Sequence, residues 1–144
     1  GSPCLIVREK PQPAKRAILY FFSGGMVIGP DTGDLPVMRK LGRDTGCDVW
    51  FPFYPLCTEH CITTSYAMVY ECYRRMIDLY GGGNVSTCGF SSGGALPDFE
   101  AACKRVNVPY TAFARPKMVH CYCMLPVFRE AKEDFAKIAE ILKQ

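Results

Sequence analysis

A glycine-flanked serine follows directly after an apolar run, and this arrangement constrains the fold more than any other feature of the chain. The run covers residues 85–88 and is followed by Gly89-Phe90-Ser91-Ser92-Gly93-Gly94. Glycine on both sides lets neighbouring backbone pass close to a sharp turn. A turn of the type G-x-S-x-G between a strand and a helix lifts the serine hydroxyl above the sheet and aims the next N–H at the same point. The pattern therefore predicts a strand, a strained turn and a nucleophile at Ser91.

The composition is typical of one compact soluble domain over residues 1–144. The chain is 49% hydrophobic, which is enough to build a core. Its 17 basic and 14 acidic residues give a net charge of only +3, and no basic stripe is interleaved with aromatic residues. Nucleic acid is therefore not expected as a partner. No apolar run approaches the ~20 residues of a membrane span, and no signal peptide is visible. The composition does not decide between a monomer and a homodimer.

Nine cysteines are scattered along the chain, several of them inside apolar stretches. Free cysteine in such a place behaves as a small hydrophobic residue. The chain has no C-x-x-C pair and no His/Cys set at zinc spacing, so we expect no metal site. Thiol chemistry at Cys121 or Cys123 would need a lowered thiol pKa, which no flanking charge supplies. We therefore expect reduced thiols and a cytoplasmic location.

Apolar runs alternate with helical periodicity along the chain. The predicted strands cover residues 4–7, 16–22, 47–53, 85–90 and 110–114. The predicted helices cover residues 35–44, 62–80, 97–106 and 126–142. The second strand, RAILYFF, is apolar throughout, as in strands that are buried on both faces. Strands that alternate with helices predict an α/β fold with a parallel, doubly wound sheet.

Two of the predicted helices carry an apolar stripe at helical spacing, and we expect both stripes to face the core. The stripe of the helix over 62–80 consists of Ile62, Tyr66, Val69, Tyr73, Met76 and Tyr80. The stripe of the helix over 126–142 consists of Phe128, Ala131, Phe135, Ile138 and Leu142.

A serine hydroxyl is a poor nucleophile at neutral pH and needs a base within hydrogen-bonding reach. The chain has two histidines, His60 and His120. His120 comes just after a predicted strand, at the end where the sites of parallel sheets assemble. It also follows Ser91 in chain order. We therefore predict that His120 is the base.

Four stretches together carry a family resemblance. They cover residues 20–27, 48–60, 89–94 and 118–122. In this order they resemble the oxyanion loop, the D-Y-R-L-A-P-E-H segment, the nucleophile elbow and the histidine loop of the hormone-sensitive-lipase-like esterases, a branch of the α/β-hydrolases. The resemblance implies an α/β-hydrolase sheet. It also implies a serine carboxylic-ester hydrolase that cleaves small acyl esters or lactones through an acyl-enzyme, without a cofactor.

The resemblance also assigns roles to individual residues. It implies that Ser91 is the nucleophile and His120 the base, and that the oxyanion is held by the backbone N–H groups of Gly24, Gly25 and Ser92. Backbone donors that meet the developing oxyanion are worth roughly 3–4 kcal/mol each. His60 aligns with the histidine of the second segment, where we expect it to fix a loop by hydrogen bonding.

Two departures from the family pattern stand out. Phe22-Ser23 replaces the leading His-Gly of the oxyanion loop, so the loop must be anchored differently. The interval from Ser91 to His120 is too short to hold the cap, two interior strands and the acid of the triad. Asp98 and Glu100 are the only carboxylates in it, and first-turn positions of a helix explain both. Asp98 as the acid is thus the less favoured interpretation, and the acid stays unassigned.

The short interval has three interpretations. The sequence is part of a longer protein, segments have been deleted from it, or the remaining strands close up in a minimal form. The first two are favoured, because removal of two interior strands leaves backbone groups of their neighbours unpaired. The alternative function is a catalytically impaired hydrolase-like fold that binds a small molecule or a protein.

Overall fold

A sheet with the strand order β1-β3-β2-β4 organises the structure. The computed structural model describes residues 3–91, 109–113 and 115–144. The strands are β1 (Cys4–Val7), β2 (Ala17–Phe21), β3 (Asp48–Pro52) and β4 (Val85–Gly89). The helices are α1 (Asp34–Thr45), α2 (Ile62–Tyr80) and α3 (Arg129–Leu142). None of the helices in these ranges is both long and apolar enough to cross a bilayer.

The sheet is parallel at its centre. β2 runs parallel to β3 on one side and to β4 on the other. β1 pairs with β3 in the antiparallel direction. The parallel arrangement is therefore confirmed for three strands, and the first strand adds an antiparallel edge, as is common in α/β sheets.

Side chains of β2 alternate between two cores. Ile18 and Tyr20 are buried against α1 and α3, whereas Ala17 and Leu19 are buried against α2. This alternation follows from the two-residue period of a strand. Helices thus cover both faces of the sheet, which confirms the doubly wound arrangement.

The apolar stripe of α3 is confirmed, whereas that of α2 is wrong at its beginning. In α3, Ala131, Phe135, Ile138 and Leu142 are buried and Phe128 just before it is half-buried. In α2, Ile62 and Tyr66 are 41% and 51% exposed. Ser65 takes the buried place, and its hydroxyl donates to the Pro55 carbonyl at 2.5 Å. This bond fixes the rotation of the helix, so its polar residue faces inward and the aromatic residue beside it faces out.

The strand predicted over residues 110–114 is wrong for the four of these residues that the structure describes. Residues 110–113 have no regular secondary structure, and Ala114 lies outside the described residues. β4 is the outermost described strand on that side of the sheet. Residues 110–113 pair with none of the described strands, and a β-prone composition alone does not form a strand without such pairing. The helix predicted over residues 97–106 also lies outside the described residues.

Candidate active site

The loop after β2 (residues 22–28, here called the glycine loop) and the turn that carries Ser91 leave the sheet side by side. β2 and β4 are parallel neighbours, and their register pairs Phe21 with Gly89. The loop that starts at Phe22 and the turn that carries Ser91 therefore follow two adjacent carboxyl ends. In parallel α/β sheets, this edge is where sites assemble.

Ser91 lies in a strained turn, as the glycine pattern predicts. Its φ of 55° falls in the left-handed region that residues other than glycine rarely adopt. The preceding Phe90 is buried and packs against the ring of Tyr20, with ring centroids 6.1 Å apart. Backbone strain of this kind persists where the surroundings enforce it, and it is frequent at active sites.

His120 and Ser91 form a hydrogen-bonded pair. His120 Nε2 lies 2.6 Å from Ser91 Oγ. This distance allows the ring nitrogen to take the hydroxyl proton directly. The sequence-predicted nucleophile and base are therefore in contact.

Cys121 also lies within hydrogen-bonding reach of Ser91. Burial raises the pKa of the Cys121 thiol, and the hydrogen bond with Ser91 only partly opposes this effect. Burial likewise raises the pKa of Cys123. A thiol nucleophile needs the thiolate form. Both thiols are therefore poor candidates for that role.

The glycine loop turns tightly around Gly24. Its carbonyl accepts the N–H groups of Val27 at 3.1 Å and Ile28 at 2.9 Å. Gly24 has a φ of 113° and Gly25 a φ of 65°. A Cβ atom on Gly24 would stand 2.4 Å from the carbonyl oxygen of Ile28. Only glycine fits this position without rearrangement.

Aromatic packing anchors the loop where the family resemblance has a histidine. Phe22 is fully buried and stacks on Tyr54, with ring centroids 4.1 Å apart and planes within 7°. The Tyr54 hydroxyl donates to the Phe22 carbonyl at 3.0 Å. Further along, the Cys57 N–H donates to the Met26 carbonyl at 2.8 Å. The segment after β3 therefore holds the glycine loop in place.

The histidine segment is held by a set of three residues, Arg115, Tyr122 and Asp134, here called the Asp134 clamp. Arg115 donates from Nε and Nη2 to the two carboxylate oxygens of Asp134, at 2.6 Å each. The Tyr122 hydroxyl donates to the same carboxylate at 2.5 Å. These hydrogen bonds, that of Arg115 first, hold the pKa of Asp134 well below its usual range despite its burial. The clamp thus ties both flanks of His120 to α3.

Comparison with known proteins matches this architecture to esterases. Neither a family model nor a curated protein matches the chain. A hyperthermophilic esterase from the archaeon Pyrobaculum calidifontis has a TM-score of 0.79 at 14% identity, over 97% of this chain and 78% of that one. A hormone-sensitive lipase from a metagenome library has a TM-score of 0.60 at 23% identity, over 76% of this chain and 37% of that one.

An esterase/lipase from an uncultured bacterium has a TM-score of 0.59 at 23% identity, over 74% of this chain and 37% of that one. The chain has the α/β-hydrolase fold of the hormone-sensitive-lipase-like esterases. It covers little more than a third of the length of the last two structures.

Several residues that the sequence assigns to the site are not part of the contact between His120 and Ser91. Among the described residues, no carboxylate accepts a hydrogen bond from His120. Ser92 and Asp98 lie outside the described residues. The backbone N–H of His60 donates to the Leu56 carbonyl at 3.0 Å, in an exposed turn after β3. Within the described ranges, no hydrogen bond joins the His60 ring to Ser91, whereas the His120 ring contacts it.

A small cavity of about 240 Å³ opens beside His120. The residues that line it are Ser23, Asp31, Gly33, His120, Cys121, Met124 and Leu125. In the part of the chain that the structure describes, no group of three or more His, Cys, Asp or Glu side chains could hold a metal ion. The sequence-based prediction of the site did not include Asp31. The signal that could have indicated it is the run P-D-T-G-D just after the glycine loop, whose residue types are typical of a turn.

The Asp134 clamp predicts a loss of stability in acid. Because the folded-state pKa of Asp134 is lowered, its contribution is complete above the unfolded value of about 4 and declines as pH falls below it. We expect the unfolding midpoint in urea to drop between pH 5 and pH 2 in the wild type and to drop less in Asp134→Asn. The control is Asp78→Asn, an exposed carboxylate on α2. An equal acid response of wild type and Asp134→Asn would contradict the assignment.

Proposed function

We propose that the chain is a serine carboxylic-ester hydrolase that acts on small acyl esters or lactones. One observation carries the proposal, namely the 2.6 Å contact between Ser91 Oγ and His120 Nε2. The strained backbone of Ser91 and its place after a parallel strand support the same function.

The reaction proceeds in two halves. As Ser91 Oγ forms a bond to the acyl carbon, its proton passes to His120 Nε2. The bond from the acyl carbon to the alcohol oxygen then breaks, and the alcohol leaves with that proton. In the second half, water gives a proton to His120 and attacks the acyl carbon. The bond from the acyl carbon to Ser91 Oγ breaks, the acid product leaves, and Ser91 Oγ takes the proton back from His120.

The glycine loop supplies the groups that would stabilise the tetrahedral intermediate. We propose the backbone N–H groups of Gly24, Gly25 and Ser92 as the oxyanion donors. The first two belong to the loop that leaves the sheet next to Ser91. Fixed donors of this kind act where the carbonyl oxygen becomes negative, and they need no reorganisation during the reaction.

The size of the cavity favours small substrates. Its volume of about 240 Å³ lies below the ~300–1,000 Å³ of pockets for drug-sized ligands. The described residues provide no acid for His120, and the chain covers 37% of each of two matched structures. A serine–histidine pair without its acid retains part of the activity of a full triad.

The second candidate function is a binding module built on an impaired hydrolase fold. The observation in its favour is that no described carboxylate orients His120. Such a module would use the cavity beside His120 for a small ligand.

A fluorophosphonate separates these two functions. The intact mass of the folded protein is measured before and after treatment, and the labelled peptide is then mapped. We expect one adduct on Ser91 in the wild type and none in Ser91→Ala. Ser86→Ala, on a half-buried serine of β4, is the matched control and should label like the wild type. The absence of an adduct on the folded wild type would reject the hydrolase in favour of the binding module.

A further inference from the structure

We propose that the carboxylate of Asp31 makes the site prefer esters with a quaternary-ammonium group beside the scissile bond. The inference rests on the proposed function and adds a substrate class to it.

The cavity opens next to the reacting pair. Asp31 and His120 both line it, and His120 Nε2 is the atom in contact with Ser91 Oγ. Cys121, the residue after His120, lines it as well. A group attached to the reacting carbon of a bound ester therefore has room to lie in this cavity.

The charge of Asp31 is held in a fixed place. Its Oδ1 accepts the N–H of Gly33 at 2.6 Å, and its own N–H donates to Asp34 Oδ2 at 3.1 Å. Asp34, whose carboxylate accepts that N–H, is 3% exposed and adds a second negative charge near Asp31, with the Tyr20 hydroxyl donating to it at 2.9 Å. No lysine or arginine is among the described residues that line the cavity. Both carboxylates lie at the start of α1, whose positive end offsets part of their charge, and the remaining negative charge favours a cation.

Apolar side chains complete the cavity. Met124 and Leu125 line it together with Asp31. A quaternary ammonium combines a weakly hydrated positive charge with methyl groups that pack on apolar surface, whereas a primary ammonium would lose strong hydration there. Carboxylate and apolar surface together match the quaternary class. Because Asp31 is exposed, solvent screens its charge and the preference is modest.

Two methylphosphonothioates test the inference through the rate of Ser91 labelling, which needs no turnover. They differ only in the leaving group, which is thiocholine in one and the neutral isostere 3,3-dimethylbutanethiol in the other. Ser91 Oγ forms a bond to phosphorus, the phosphorus–sulfur bond breaks, and the leaving sulfur takes the proton that His120 received. The ratio of the two labelling rates, measured by intact mass, is compared between variants, so the intrinsic reactivities cancel.

We expect the cationic preference to fall about two- to five-fold from the wild type to Asp31→Asn, as for an exposed charge pair. Asparagine keeps an oxygen acceptor for the Gly33 N–H. The same fall is expected on adding ~1 M salt to the wild type. The control Asp78→Asn should keep the wild-type ratio. Equal ratios in wild type and Asp31→Asn would overturn the inference while leaving the hydrolase intact. Failure of both reagents and of the fluorophosphonate to label Ser91 would overturn both.

Discussion

Replacement of His120 by alanine is expected to reduce hydrolysis of a small ester such as p-nitrophenyl acetate about 10²–10⁴-fold, the usual contribution of a general base. The physical reason is the loss of the only ring nitrogen that contacts Ser91 Oγ in the described residues. The loss should appear in kcat, because the proton moves in the transition state and not on binding. Initial rates at saturating ester provide the measurement.

His60→Ala is the matched control for this experiment. It removes the chain's other histidine, which lies in an exposed turn, and should leave kcat within about two-fold, since substitutions away from special features usually change little. Free imidazole should restore part of the rate of His120→Ala, because the lost ring bordered a cavity that solutes can enter. Equal losses in the two variants would refute the assignment of His120 as the base.

Gly24→Ala is expected to lower the free energy of unfolding by about 2–4 kcal/mol, from a forbidden φ and a steric clash together. The new Cβ would meet the Ile28 carbonyl oxygen at 2.4 Å, and a backbone atom cannot rotate away. Displacement of Ile28 would also break the turn that places the glycine N–H groups. We therefore expect Ser91 labelling by a fluorophosphonate to slow even where the variant is folded.

Gly46→Ala is the control that separates strain from clash. Gly46 also has a left-handed φ, of 73°, but a Cβ there would find nothing within 4 Å. This variant should lose about 1 kcal/mol, as expected for a non-glycine residue in that conformation. Urea unfolding gives both values, and labelling of folded Gly46→Ala should match the wild type. If the two variants lose equal stability, the close approach at Gly24 does not govern this loop.

The four strands β1 to β4 and the contact between Ser91 and His120 could be predicted because each depends on a local or chain-order signal. The apolar run before Ser91 and its flanking glycines specify a strand and a turn, and the parallel sheet brings the carboxyl ends of β2 and β4 together. His120 could be chosen because the chain offers only one other histidine. The resemblance to the esterases placed the glycine loop at the same edge.

The remaining features depend on contacts between distant side chains. A hydrogen bond from Ser65 to the Pro55 carbonyl sets the rotation of α2, and no periodicity reveals it. A strand over residues 110–113 would need a neighbouring strand that composition does not encode. In the sequence, Asp134 is an ordinary polar residue of a predicted helix. In the structure, Arg115 and Tyr122 donate hydrogen bonds to its carboxylate. Buried charge networks of this kind are visible only in three dimensions.

Because of the Asp134 clamp, Ser91 and His120 are held in place by different parts of the fold. Ser91 follows a strand of the sheet, whereas His120 is fastened through the clamp to α3, the last helix of the chain. Terminal helices open locally at a lower free energy than central strands. Undocking of α3 would thus withdraw His120 while the turn that carries Ser91 stays folded. Loss of the proposed esterase activity on mild heating should then precede loss of the sheet, so the rate of ester hydrolysis would report on the docking of α3.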